Sequence, residues 1–139
     1  MSNMLRISDA ASLALHTMAY LARSDADWVT THEIAQALCV SENHLAKVRQ
    51  RLAKAGLVEA VRGPHGGFKL AKPAKEISLL SVYEAIEGPF HADDCLLGRT
   101  ACDGSKCVLG GIARTINRQV REYLSGTRLD DLKTFDRQA

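Results

Sequence analysis

Apolar side chains recur every three or four residues in five stretches of this chain, and each stretch predicts a helix with one buried face. The first covers residues 9–23, with Ala10, Ala14, Met18 and Leu21 in step and Ser8 or Asp9 able to cap its start. A polar connection follows, from Ser24 to Trp28. Thr30 and Glu33 then form a capping-box pair that opens a short helix with Ile34, Ala35 and Leu38 inward. Cys39 and Val40 make a turn. Ser41 is a good N-cap for the third helix, and Val40 and Leu45 stand at hydrophobic-staple positions that fix its entry angle. That helix runs to about Ala55 with Leu45, Val48 and Leu52 on one face, and Gly56 suits the left-handed position past its end. Residues 78–87 predict a fourth helix, with Leu79, Val82 and Ile86 inward and Gly88-Pro89 as its stop. The fifth runs from about Val108 to Ser125. Its apolar positions, Leu109, Ile112, Ile116, Val120 and Tyr123, form a narrow seam near heptad spacing among Arg114, Asn117, Arg118, Arg121 and Glu122.

Between the third and fourth helices the period drops from four to two. LVEAV (57–61) and FKLA (68–71) read as short strands joined by the turn RGPHGG. Two short helices about a tight turn, followed at once by a hairpin, predict a helix-turn-helix with a wing. An ordinary helical pair with a surface hairpin is the plainer alternative. The narrow seam calls for a partner helix, most simply from a second copy of the chain; packing onto its own domain is the competing reading. The expected fold is mainly α with a small β-hairpin. It comprises a winged helix-turn-helix domain (1–88), a cysteine-rich loop (89–107), and a long dimerisation helix with its tail (108–139).

Hydrophobic residues make up 46% of the 139, enough for a core, and no apolar run approaches the ~20 residues that span a bilayer. The first residues are apolar on one side only, and Asp9 falls where an export signal is uncharged, so a cytoplasmic chain is expected. The net charge of +2 conceals three blocks: −2 over residues 1–40, +6 over 41–75 and −2 over 76–139. A basic block between mildly acidic ones is the footprint of a phosphate-binding face, or else of a solvated basic helix. On the third helix Asn43 and Gln50 can pair with adenine edges and Lys47 with guanine, with His44 beside them. Ser41 and Arg49 suit phosphates, which set register without selecting sequence. On the wing, Arg62 suits a narrow minor groove, His65 and Lys69 add charge, and Gly66 and Gly67 allow close backbone approach. Two copies would read two half-sites of a near-palindromic stretch of double-stranded DNA about one helical turn apart.

Cys95, Cys102 and Cys107 stand together in DCLLGRTACDGSKCVLGG, among Gly98, Gly104, Gly110 and Gly111. Thiolate sulfur is a soft donor for iron–sulfur clusters, Zn(II) or Cu(I). A closed zinc site wants four ligands. Three local thiolates with an exchangeable fourth ligand suit a cluster that reacts. A structural zinc, an oxidisable thiol pair and unrelated buried cysteines are the alternatives. Cys39 lies between apolar neighbours in the helix-turn-helix and reads as a small buried hydrophobe.

The run VSENHLAKVRQRLAKAGLVEAVRGPHGGFKLAKP resembles the winged-helix segment of the iron–sulfur regulators typified by IscR and NsrR. The resemblance continues through the fourth helix, the three cysteines and the long helix. VRGP followed by GG and an aromatic is similar to the family's wing signature. Ser41, Asn43, His44 and Lys47 resemble the nitric-oxide-sensing NsrR branch more than the IscR branch. The resemblance implies a homodimeric regulator whose cluster state controls DNA binding. It implies Cys95, Cys102 and Cys107 as cluster ligands, although their spacing departs from the IscR pattern. Some members take a fourth ligand from a histidine three residues past the last cysteine; that position is Gly110 here. Others use an acid or a histidine of the first helix, reaching across the dimer, for which this chain offers Asp9 and His16. Ser12 stands where the NsrR-type acid would be, and His16 where some two-iron members carry a histidine. The cluster is thus expected to be either 2Fe-2S or 4Fe-4S.

No nucleotide loop, G-x-S-x-G or metal-hydrolase helix is present, so neither an enzyme nor a small-molecule substrate is expected. His32 and His91 read as solvated rather than catalytic. The function expected is that of a DNA-binding sensor of redox, nitric oxide or iron status. A thiol-redox regulator without a cluster and a structural zinc-binding interaction module compete with it.

Overall fold

The computed structural model describes residues 7–61, 67–90 and 111–134. Within them the chain runs α1 (Asp9–Arg23), β1 (Val29–Thr30), α2 (Thr31–Leu38), α3 (Glu42–Lys54), β2 (Val58–Ala60), β3 (Gly67–Leu70), α4 (Leu79–Glu87) and α5 (Ile112–Gly126). Two short 3-10 segments, Ala74–Glu76 and Leu129–Thr134, complete it.

The first four helices begin at a hydroxyl. Ser8, Thr30, Ser41 and Ser78 accept from the amides of Ala11, Glu33, His44 and Ser81, each at 3.1 Å. Each bond satisfies one of the amides that a helix start leaves without a partner. Cys39 ends α2 in the left-handed conformation, φ 57°, and Gly56 at φ 77° turns the chain out of α3. Leu45, Val48 and Leu52 bury one face of α3, as the periodicity predicts. They join Ala11, Ala14 and Met18 of α1, Ile34 of α2, Phe68 of β3 and Val82 of α4 in a single core. Burying a side chain of this size stabilises by about 1.5–3 kcal/mol, so this shared core holds α3 firmly to the domain.

The hairpin of the sequence is part of a three-stranded antiparallel sheet, ordered β1-β3-β2. Val58 faces Leu70, and Ala60 faces Phe68. On the other edge Val29 faces Phe68 and Thr30 faces Gly67. A Cβ on Gly67 would lie 2.2 Å from the Val29 carbonyl oxygen, so β1 closes on β3 over a residue that has no side chain. Gly67 thus lets the main chains of β1 and β3 approach closely.

Three readings of the sequence are refined. Cys39 is exposed, because its left-handed position at the helix end turns the side chain away from the core. In α4 the buried set is Leu79, Val82 and Tyr83, with Ile86 only partly covered. Tyr83 meets Phe90 edge-on at 5.7 Å between ring centres, which draws it inward. In α5 Leu124 and Asn117 are buried, and Val120 packs partly against the domain's own core. Ile112 and Tyr123 remain 54% and 50% exposed. The seam thus divides, with its Val120 edge on the domain and its Ile112–Tyr123 edge facing out. Leu109, the first seam position, lies outside the described residues. No helix among the described residues is long and apolar enough to cross a membrane.

Candidate nucleic-acid interface

The face of α3 opposite its buried row carries Asn43, Lys47 and Gln50, all exposed, and ends at exposed Lys54. Spacings of four, three and four residues keep these side chains on one stripe. Lys54 continues the stripe by the same arithmetic that selects the other three, and it adds a cation to this exposed face. Ser41 caps the helix through its side chain. His44 is half-buried, turned toward α1. Arg49 is half-buried as well, and its Nη1 donates to Thr31 Oγ1 at 2.9 Å, bracing α3 against the first turn of α2. Arg51 donates to the Ile86 carbonyl at 3.3 Å. That carbonyl belongs to the last turn of α4, where a cation complements the helix end.

On the sheet Lys69 lies 4.7 Å above the centre of the Trp28 ring and 3.6 Å from Glu59. Trp28 has no periodic signal in the sequence. Its contact with Lys69 depends on the pairing of β1 with β3, so it shows only in the fold. Arg62, His65 and Gly66 of the wing turn lie outside the described residues.

The first-helix candidates meet in one place. Asp9, Ser12, Leu13 and His16 of α1 line a cavity of about 430 Å³ together with Leu38, Val40 and, from α3, His44. His16 Nδ1 donates to the Ser12 carbonyl at 2.7 Å. This bond fixes the tautomer and leaves Nε2 as the nitrogen that can bind a metal. Among the described residues no three His, Cys, Asp or Glu side chains are grouped to hold a metal ion. Cys95, Cys102 and Cys107 lie outside the described residues; with His16 or Asp9 they are the residues that would hold a metal centre. A soft thiolate set completed by an anchored imidazole fits an iron–sulfur cluster by its donor chemistry.

A family model described as Rrf2, an iron-dependent transcriptional regulator, matches residues 7–134. The chain belongs to the Rrf2 family. It is 34% identical over 130 residues to the transcriptional regulator IscR of Cereibacter sphaeroides, covering 88% of this chain and 81% of that protein. It is 28% identical over 124 residues to the regulator NsrR of Bacillus licheniformis, covering 86% and 84%. The fold matches the solved structure of CymR, the global cysteine regulator of Bacillus subtilis, with a TM-score of 0.76 at 26% identity, covering 94% and 98%. These likenesses make the chain a transcriptional regulator of the Rrf2 family with a winged-helix fold, and not an enzyme.

Proposed function

We propose that this Rrf2-family chain works in the cytoplasm as a homodimer on near-palindromic DNA, and that an iron–sulfur cluster adjusts its grip on the operator. Cys95, Cys102 and Cys107 hold the cluster, and His16 or Asp9 completes the ligand set. The observation that carries this reading is the shared cavity: both candidate auxiliary ligands line it, and so does His44 of the recognition helix. Whatever binds at His16 therefore borders α3 directly. A second connection runs through α4, whose last turn takes bonds from Arg51 of α3 and from Ser8, the cap of α1. Phe90, anchored by its amide to Glu84 at 2.8 Å, is the last described residue before the cysteine segment. Redox change, nitric oxide or iron loss at the cluster would thus act on the start of α1, the end of α4 and α3 together.

A ligand shifts a conformational equilibrium only by its unequal affinity for the two states. Cluster-loaded and cluster-free protein should accordingly differ in operator affinity by about 5–150-fold, a coupling of about 1–3 kcal/mol. Fluorescence anisotropy under anaerobic conditions at fixed salt measures this. Equal affinities for the two forms on a selected operator would refute the switch.

The CymR of Staphylococcus aureus, 25% identical to this chain with a TM-score of 0.74, has a solved oxidized form, and this supports a second reading in which the thiols respond by oxidation without a cluster. Metal-free protein whose operator binding follows reversible thiol oxidation would establish it.

Dimerisation is expected through the outward edge of α5. Ile116→Asp places a charge in that seam, and an unpaired ion in an apolar interface costs several kcal/mol on order-of-magnitude grounds. The variant should sediment as a monomer at concentrations where the parent is dimeric. A parent that is monomeric at every usable concentration rules the seam out.

A further inference from the structure

The first residue of α3 is an acid, in a helix otherwise dressed to meet phosphates. Glu42 is exposed and adjoins Asn43 at the head of the reading stripe. Its Oε1 lies 2.7 Å from Nδ1 of His32, in the first turn of α2. The two residues belong to different helices, and the helix-turn-helix bend is what brings them together. An Nδ1–H donates to the carboxylate whether or not the other ring nitrogen is protonated. The bond engages one oxygen and restrains rotation of the carboxylate, leaving Oε2 open as an acceptor.

Residues at the N-terminal end of a recognition helix are the ones that reach base edges. There a carboxylate is repelled by phosphates and by the acceptor atoms of guanine and thymine, and it accepts well from the N4 amino group of cytosine. An acid in the first turn also suits the helix dipole. That benefit needs no partner on α2, and Ser41 already caps the helix. We propose that Glu42, oriented by His32, selects cytosine at one position of each operator half-site. The inference rests on the reading of the chain as an operator-binding regulator.

Selection from a randomised DNA pool, followed by anisotropy on single-base variants at fixed salt, tests it. The parent should prefer cytosine by about tenfold at one position per half-site. Glu42→Ala should flatten that position alone. Glu42→Gln should move the preference toward adenine, because an amide pairs with adenine N6 and N7. His32→Ala should weaken the preference by less than Glu42→Ala does, since the carboxylate remains but turns freely. The near-isosteric Glu42→Gln variant keeps the test usable should the alanine variant fold poorly. A selectivity profile unchanged in both Glu42 variants overturns the proposal. So does a uniform gain in affinity for all sequences, which would make Glu42 only a repulsive charge. A parent that selects no sequence removes the operator reading itself, and is distinguished by its own flat profile.

Discussion

Cys102→Ala protein purified without oxygen is expected to lose nearly all the iron and sulfide that the parent carries. Cys95, Cys102 and Cys107 are the only grouped soft donors in the sequence. Cys39, the fourth cysteine, is exposed beside the turn into α3, with its Sγ 3.8 Å from the Gln36 carbonyl. Cys39→Ala should keep the full metal content. Operator affinity supplies a second readout: Cys102→Ala should bind DNA as the cluster-free parent does, since both lack the ligand that biases the equilibrium. Iron and sulfide assays with visible absorption decide the matter. Equal content in variant and parent rejects the ligand assignment. One zinc per chain in a colourless parent turns the reading toward a structural metal.

The helices were legible because their ends carry chemistry as well as periodicity. Ser8, Thr30 and Ser41 each make the cap that their position before an apolar run predicts, and Ser78, read as the first residue of its helix, is the cap of α4. The exposed stripe follows from the buried row of α3, since fixing Leu45, Val48 and Leu52 inward leaves Asn43, Lys47 and Gln50 outside. What stayed hidden depends on contacts between distant segments. Strand β1 has two residues, too few to show alternation, and exists only through its pairing with β3. The Trp28–Lys69 contact and the structural role of Gly67 follow from that pairing. The His32–Glu42 pair needs the bend between α2 and α3. Cys39 reads as buried from its neighbours, but a single left-handed residue reverses the direction of its side chain. The α5 seam is a different case. Heptad spacing finds apolar positions without saying which surface each one meets, so Val120 and Tyr123 look alike in sequence and part company in the fold.

Gly67→Ala should destabilise the domain by about 3 kcal/mol, toward the upper end of what overpacking a tight site costs. The added methyl would sit 2.2 Å from the carbonyl oxygen and 2.7 Å from the carbonyl carbon of Val29. Both are main-chain atoms, so no rotamer change relieves the clash and β1 must leave β3. Its departure breaks the pairs Val29–Phe68 and Thr30–Gly67 and exposes two residues that are buried, Val29 and Phe68. It also loosens Thr30, the cap of α2, and through α2 the bracing of α3 by Thr31 and Arg49. Operator affinity should therefore fall along with stability, although Gly67 need not touch DNA. Gly56 provides the contrast. Nothing lies within 4 Å of a Cβ there, but φ is +77°. Ala at 56 should cost only the ~1–2 kcal/mol of a left-handed L-residue, and Asn should cost less than Ala because it tolerates that conformation. At 67 the order should invert, with Asn worse than Ala, because space and not conformation is the constraint. Urea unfolding of the four variants separates the two mechanisms: the midpoint should drop with an unchanged slope, and the Asn–Ala order should differ between the sites. Parent-like stability of Gly67→Ala would mean that β1 does not close over this glycine.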